Sequence, residues 1–584
     1  MKVQPHTRPL LLLLLPLLTA INAVCQTPQT FQGKRINAPE CYTVLPIRLP
    51  ISMAGGFAEI RPNHFHSGLD LRTGGKEGER VYAPNDGYVS RINISAWGGG
   101  KVLYITHPDG YRTVYMHLSE FCGAIGQFVH DYQYANHLYA FDIELPKDSI
   151  RVSKGQLVAL TGNTGGSAGP HLHYEIRLAE NDQPINPLLF GLPYNDLIAP
   201  TIAGIKLYPA DAGTIIGGKN KTLTLLDNQM PMYDTIDVCG RFYTGIYTYD
   251  QHEPGSRNKN GIHRIDIFID DSLFYVYTVP TFVFDETRAI NAIIDYPHYQ
   301  RTREYYIITR HLRGDRNNFS TAYQDNGYIS FDDSQIHKIQ YRVSDHKGNY
   351  SQQTLFLRSE PQKVPTSDAT PSAITATGEP ITYFKRFRLD RDGFSVDIRP
   401  YTVYENDLLS YRHNADNLSI GDRHRINLVK HPLPPHQSFD VWLDIPQGIS
   451  NELLDKLTIV CINGKNVSAL PTTAEGGRLH APSRSFGDFA IRLDTVAPTM
   501  KPVNFSSNKS FRGKKITLKI ADNLTGVISY SCHINGEWHV AEHDGKTSTL
   551  SVDARHLRKG QNSITFRLTD AVGNTAEQTW KIRI

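Results

Sequence analysis

The densest chemistry in this 584-residue chain lies in Gly169-Pro170-His171-Leu172-His173-Tyr174-Glu175-Ile176-Arg177. Read as a strand, alternation puts His171, His173 and Glu175 on one face and sends Leu172, Tyr174 and Ile176 into a core. Two neighbouring imidazoles with a carboxylate next in the row suit a divalent metal. The plainer reading is a polar strand face with incidental histidines. Upstream, His66-Ser67-Gly68-Leu69-Asp70 supplies another imidazole and a carboxylate four positions apart. The two patches together hold the ligand types that zinc takes for hydrolysis: three imidazole or carboxylate ligands, with a fourth position left for water. Zinc in such a site activates water and polarises a carbonyl. A structural zinc would be closed by four ligands, often thiolates, and the cysteines here show no Cys-x-x-Cys pairing and none beside the histidines.

Around these patches run further blocks: Val81-Tyr-Ala83-Pro-Asn-Asp86-Gly87-Tyr-Val89, Thr113-Val-Tyr115-Met-His117-Leu118, Lys154-Gly155-Gln156, and Thr161-Gly162-Asn163-Thr164-Gly165 leading into His171. In this order, and over residues 51–190, they resemble the lysostaphin/LytM-type (Gly-Gly endopeptidase-like) zinc metallopeptidases, which cleave peptide bonds of bacterial peptidoglycan. The resemblance implies an antiparallel LytM-type β-sheet domain, with His66, Asp70 and His173 as zinc ligands. It also implies that His117 and His171 assist the attacking water and the developing oxyanion, either one serving as base. Histidine titrates in the right range for both tasks. In a strand reading His117 shares a face with Thr113 and Tyr115 and looks into the same cleft.

Other residues near these blocks receive quieter roles. His64 lacks the Gly68 and Asp70 spacing and reads as a cleft-rim residue; His107 sits in a Pro108-Asp109-Gly110 turn and reads as structural. Glu175 is either an orienting partner of a metal-bound histidine or an ordinary strand carboxylate. The glycines at 162, 165, 166 and 169 allow close backbone approach, either as a cleft wall for an extended peptide or as a flexible hairpin loop. Residues 120–150 are longer than the family's usual connection and carry Tyr132, Tyr134, His137, Tyr139 and Phe141, which suggests a cleft wall or lid.

The elements around the site point to a secreted, all-β protein. Lys2 and Arg8 precede an apolar run over residues 10–18, with small residues at Ala20 and Ala23: a signal peptide over 1–25, too short to span a membrane. A lipoprotein anchor at Cys25 is the second option, which Val24 before it disfavours. The expected location is therefore extracytoplasmic: periplasm, cell envelope or medium. A formal charge of +3, from 61 basic and 58 acidic residues, gives no case for nucleic acid and a mild fit to an anionic wall. Six cysteines are too sparse to staple a chain this long, so its cores must come from apolar burial.

An internal repeat organises the C-terminal part. Asp196-Leu-Ile-Ala-Pro200-Thr201 is echoed by Asp494-Thr-Val-Ala-Pro498-Thr499, and IQYRVSDHKGNYSQQT (339–354) by ITFRLTDAVGNTAEQT (564–579). Each closing segment sets an aspartate, Asp345 or Asp570, three residues before a Gly-Asn turn between alternating strands. These segments resemble bacterial immunoglobulin-like β-sandwich modules. The predicted organisation is an N-terminal extension (26–50), the peptidase domain (51–195), an elaborated sandwich (197–360), a Pro/Thr/Ser/Ala-rich linker (361–380), a second sandwich (381–493) and a compact third (495–584). One short helical turn is read at 451–457. The sandwiches read as spacers or as docking sites for an envelope protein partner.

The function that follows is a zinc-dependent endopeptidase on peptidoglycan cross-links, cutting in a stem peptide or a glycine bridge. The second reading is a non-catalytic wall-binding regulator or amidase activator, against which an intact set of five site residues weighs; the third is an adhesin, which wall or carbohydrate binding by residues 197–584 alone, with negligible hydrolysis, would support.

Overall fold

The computed structural model describes residue 42, residues 44–227, 235–317, 319–360 and 378–584, and two short strands at Thr30–Phe31 and Lys34–Arg35. The predicted signal peptide, the Cys25 anchor and linker residues 361–377 lie outside the described residues. Strand dominates throughout, as the alternating patterns require, and the chain is all-β.

The N-terminal region is built on an antiparallel sheet. Its strands are β1 (Met53–Gly55), β2 (Leu69–Arg72), β3 (Gly87–Ile94), β4 (Lys101–Thr106), β5 (Tyr111–Met116), β6 (Phe141–Glu144) and β7 (His171–Leu178), in the order β6-β3-β4-β5-β7-β2-β1. The β4–β5 hairpin turns where Asp109 Oδ1 accepts the Tyr111 N–H at 3.1 Å and Gly110 takes φ +86°. Alternation gives the sheet one apolar face: Leu103, Ile105, Tyr115, Leu172, Tyr174 and Ile176 are all buried. Burying an aliphatic or aromatic side chain of this size contributes about 1.5–3 kcal/mol. The sheet therefore has a rigid back, and its other face is free to carry polar groups.

The insertion after His117 holds a helix, α1 (Gly123–Asn136), and then edge strand β6 on β3. Ile125, Val129 and Gln133 form its buried stripe, and His137 ends it at φ 52°. Only two apolar residues mark that stripe, too few to stand out from the surrounding aromatics. From residue 42 onward, the described part of the N-terminal extension runs along this domain. Tyr42 stacks on Phe190, and Arg48 lies over Tyr82.

Three pairs of sheets follow. Four- and seven-stranded sheets span Thr201–Pro209 to Tyr350–Ser359, six- and five-stranded sheets span Glu379–Ile381 to Gly487–Leu493, and two four-stranded sheets span Thr499–Pro502 to Thr575–Arg583. Glu379–Ile381 pairs with Asp407–Ala415, so the end of the predicted linker is already strand. A helical turn forms at Asn451–Leu454, inside the stretch expected to hold one. One continuous core runs from Tyr42 through the N-terminal sheet to Leu357, whereas the second and third sandwiches each have their own. The N-terminal domain and first sandwich thus share buried apolar surface. Cys122, Cys239, Cys461 and Cys532 are free thiols. No helix among the described residues is long and apolar enough to cross a membrane.

Candidate functional site

Strand register assembles the centre. β7 lies between β5 and β2, and His173 pairs directly with Asp70 on one side and Met116 on the other. Directly opposed residues of antiparallel strands share a face, so Asp70 and His173 meet on the face away from the core. His66 joins them from the loop before β2. Gly68 makes this possible: a Cβ there would sit 2.4 Å from the Tyr174 carbonyl oxygen and 3.0 Å from His173 Nε2.

Three ligand-type atoms converge. His66 Nε2 is 3.0 Å from Asp70 Oδ1 and 2.9 Å from His173 Nδ1, and His173 Nδ1 is 2.9 Å from Asp70 Oδ1. All three side chains are buried. Their outward atoms are tied down: His66 Nδ1–H donates to the Gly56 carbonyl at 2.7 Å, His173 Nε2–H to Glu175 Oε1 at 2.8 Å, and Arg61 donates to Asp70 Oδ2 at 2.7 Å. With each outward ring nitrogen acting as donor, the inward nitrogens present lone pairs to one point, as metal-bound histidines do.

His171 and His117 flank this point. His171 Nε2 is 3.3 Å from Asp70 Oδ1, while its Nδ1 faces the Gly169 carbonyl at 2.8 Å and Ser167 Oγ at 3.1 Å. His117 donates from Nδ1 to the Thr164 carbonyl at 2.9 Å, and its ring lies 4.8 Å from that of His171. The five residues expected at the site are thus brought together.

His117 reaches the site by a different route from the one expected. β5 ends at Met116, and Thr113 and Tyr115 point into the core, where Thr113 Oγ1 lies 2.9 Å from the Tyr115 hydroxyl. Plain alternation would bury His117 beside them. Instead it takes φ +63°, the left-handed region, and the kink turns its ring to the opposite face.

The electrostatics follow from burial and pairing. Burial opposes charge on His173, but the hydrogen bonds it donates to Asp70 and Glu175 outweigh that and raise its pKa to about 9, so a metal ion would displace a proton from its inward nitrogen. Burial, then the imidazoles of His173 and His171, push His117 down to about 3. Burial works against ionised Glu175, yet Arg177 and His173 hold it at about 2. Arg177 and Ser67 also hydrogen-bond Glu175, the latter at 2.5 Å, so the carboxylate is fully engaged.

Arg61, Ser67 and Arg177 are supporting residues that the sequence patterns did not single out. Arg177 was legible as the next position on the His173–Glu175 face; Arg61 carries no such signal. His64 is exposed and bonded through Nδ1 to the Pro62 carbonyl at 2.9 Å. His107 is buried between the Asp86 carbonyl and Thr113, a structural role.

The glycine run serves the chain's own backbone. Gly165 has φ +69°, and a Cβ there would lie 2.3 Å from Gly100 N, so loops 98–100 and 164–166 pack backbone to backbone. That contact fixes the Thr164 carbonyl that holds His117.

The insertion, expected to wall the cleft, buries Ile125, Val129 and Phe141 in the N-terminal core and offers further side chains to the third sandwich. Tyr134 and His137 both contact Trp538, with ring centroids 5.4 and 4.8 Å away. A cleft of about 670 Å³ lies between them, lined by Gln133, Tyr134, Lys515 and His556 among others and by none of the five site residues. The third sandwich also reaches the edge of the site. Glu542 bridges Lys101 (2.6 Å) and Lys515 (2.5 Å), Gly545 N–H donates to the Ala96 carbonyl at 3.2 Å, and Lys546 donates to the Asn163 carbonyl.

Comparison with known proteins agrees with this geometry. Residues 64–135 and 130–187 match the profile of Peptidase family M23, and residues 379–494 match a Zu5-like domain. A Haemophilus influenzae protein described as an uncharacterized metalloprotease is 37% identical over 134 residues, 23% of this chain and 22% of that protein. The DD-carboxypeptidase/endopeptidase Mpg of Neisseria meningitidis is 30% identical over 163 residues, 28% of each chain. The peptidoglycan DD-endopeptidase ShyA of Vibrio cholerae is 32% identical over 128 residues, 22% of this chain and 23% of its own. The likeness thus spans about a quarter of these relatives' length.

Proposed function

We propose that this chain, whose residues 64–187 carry a domain of peptidase family M23, is an extracytoplasmic zinc endopeptidase acting on peptide cross-links of bacterial peptidoglycan. The observation that carries this reading is the convergence of His66 Nε2, Asp70 Oδ1 and His173 Nδ1 within 3.0 Å of one another, every outward atom already bonded. Two imidazole nitrogens and one carboxylate oxygen are the donor set of a catalytic zinc. When bound, zinc supplies Lewis acidity that activates water and polarises the scissile carbonyl.

The chain's residues divide the remaining work. His66, Asp70 and His173 hold the metal, with Gly56, Arg61 and Glu175 orienting them. His117 and His171 present Nε2 to the centre with Nδ1 anchored on the Thr164 and Gly169 carbonyls. Both are placed to take a proton from attacking water and to hydrogen-bond the tetrahedral oxygen, and either one serves as base. ShyA and Mpg, by their names, support a DD-type cross-link as the substrate bond.

The test is hydrolysis of purified peptidoglycan by wild type, His66→Ala and His171→Ala, with zinc or chelator and with products identified by mass spectrometry. New amino termini that require zinc, His66 and His171 establish the reading. No cleavage by zinc-loaded wild type, together with tight peptidoglycan binding, would point to a wall-binding regulator instead.

A further inference from the structure

The two repeat modules build the same acidic pocket. In the first sandwich Thr201 pairs with Tyr249, which puts Asp250 next in the chain; in the third, Thr499 pairs with Ala521, which puts Asp522 next. The module-opening aspartates, Asp196 and Asp494, stand beside these strand ends. Asp345 and Asp570 complete the correspondence: each caps its Gly-Asn turn, and the turn asparagine (Asn349 or Asn574) donates to the main-chain carbonyl of Asp196 or Asp494. Ligand-type oxygens of Asp494, Asp522 and Asp570 lie within 4.8 Å of one another, and those of Asp196 and Asp250 lie equally close to His252 Nε2.

These carboxylates lack countercharge. Asp196, Asp250, Asp345, Asp494 and Asp570 are all buried, at 0–4% exposure. Among the described residues none of the six aspartates has a lysine or arginine in ion-pair reach; the only basic neighbour is His252, 3.2 Å from Asp250 Oδ2 and 3.8 Å from Asp196 Oδ2. Asp196 Oδ2 is buried, points into its pocket and has no hydrogen-bond partner, and Asp522 Oδ1 is likewise unpartnered. Backbone and side-chain donors cap these carboxylates, yet gathering like charges in a buried pocket without a cation is unfavourable. Burial and the Asp250 charge accordingly raise Asp196 and Asp345.

We propose that each pocket binds a calcium ion. The donors are hard carboxylate oxygens, the type calcium takes, joined in the first pocket by the His252 imidazole, and no thiol is present. Both pockets sit where one module meets the preceding one, so the ions brace those junctions. The second would also hold the third sandwich at the angle from which it contacts Ala96, Asn163 and Trp538's partners on α1. Affinity in the range of extracellular calcium modules, about 0.1–1 mM, is expected.

Equilibrium dialysis of the full zinc-loaded chain against labelled calcium tests this, with thermal unfolding followed in parallel. Wild type should take up two calcium ions and unfold about 5 °C higher in about 10 mM calcium. Asp250→Asn and Asp522→Asn should each take up one, with zinc content unchanged. Absence of saturable uptake by the wild type overturns the proposal whatever the variants do. Two ions retained by the double variant would place calcium elsewhere and overturn it as well. Displacement of calcium from the first pocket by equimolar zinc would assign that pocket, with its His252, to a different metal.

Discussion

At the residue scale, the proposed centre depends on the atoms that orient His66, Asp70 and His173 as much as on those three side chains. Glu175 is buried between His173, Ser67 and Arg177. Exchange for glutamine weakens the acceptor that fixes the His173 tautomer, and zinc affinity should fall about 10- to 100-fold in competition with a chromogenic chelator. Affinity equal to wild type would remove Glu175 from the design. His117 and His171 make the opposite prediction. Alanine at either should lower kcat by about 10²–10⁴-fold while the purified protein keeps its zinc, because neither inward nitrogen belongs to the three-atom cluster. Loss of zinc from His171→Ala would make it a ligand.

At the scale of elements, positions with no functional atom decide where functional atoms go. Gly165→Ala places a Cβ against Gly100 N in a left-handed conformation, and relief must move loop 164–166. A cost of about 1–3 kcal/mol is expected, with reduced kcat and unchanged zinc uptake, since the loop holds His117 rather than the proposed ligands His66, Asp70 and His173. Unaltered kcat would show that the Thr164 carbonyl is dispensable. Helix α1 belongs to this scale too. Its aromatic face serves the third sandwich, so loss of Trp538 should loosen that module before it alters the histidine cluster.

For the whole molecule, the third sandwich returns to the domain that the sequence places farthest from it. Glu542 is the clearest charge at that contact. Burial pushes its carboxyl up, but Lys101 and Lys515 outweigh burial and hold it at about 2. A depressed carboxyl stabilises fully above its unfolded value, near 4.5, and the contribution is lost as pH falls towards 2. Wild type and Glu542→Gln should therefore differ in unfolding temperature near neutrality, the difference narrowing from about pH 4.5 and closing as pH passes below about 2. A difference unchanged between pH 7 and pH 2 would assign the effect to packing. The first sandwich is coupled more tightly: Phe65, next to His66, packs against Phe282 and Phe319, and its N–H donates to Thr287 Oγ1 at 2.7 Å.

By itself the sequence pointed to the chemistry: His66, Asp70, His171 and His173 stand out by residue type and spacing, and His117 by the resemblance of the ordered blocks to a peptidase family. It also determined the β character, through period-two alternation, and the repeat that marks the two modules. Alternation even placed His173 and Glu175 correctly, because strand faces are a local property. Only the tertiary structure decided the rest. Local pattern carries no register, so the pairing of Asp70 with His173 had to come from packing β2 against β7. Nor does it contain the left-handed turn at His117, which reverses the face that alternation assigns. The glycine-to-glycine contact of loops 98–100 and 164–166 and the third sandwich against α1 join residues far apart in the chain. Such contacts are set by which apolar faces bury each other, and that is a property of the folded whole.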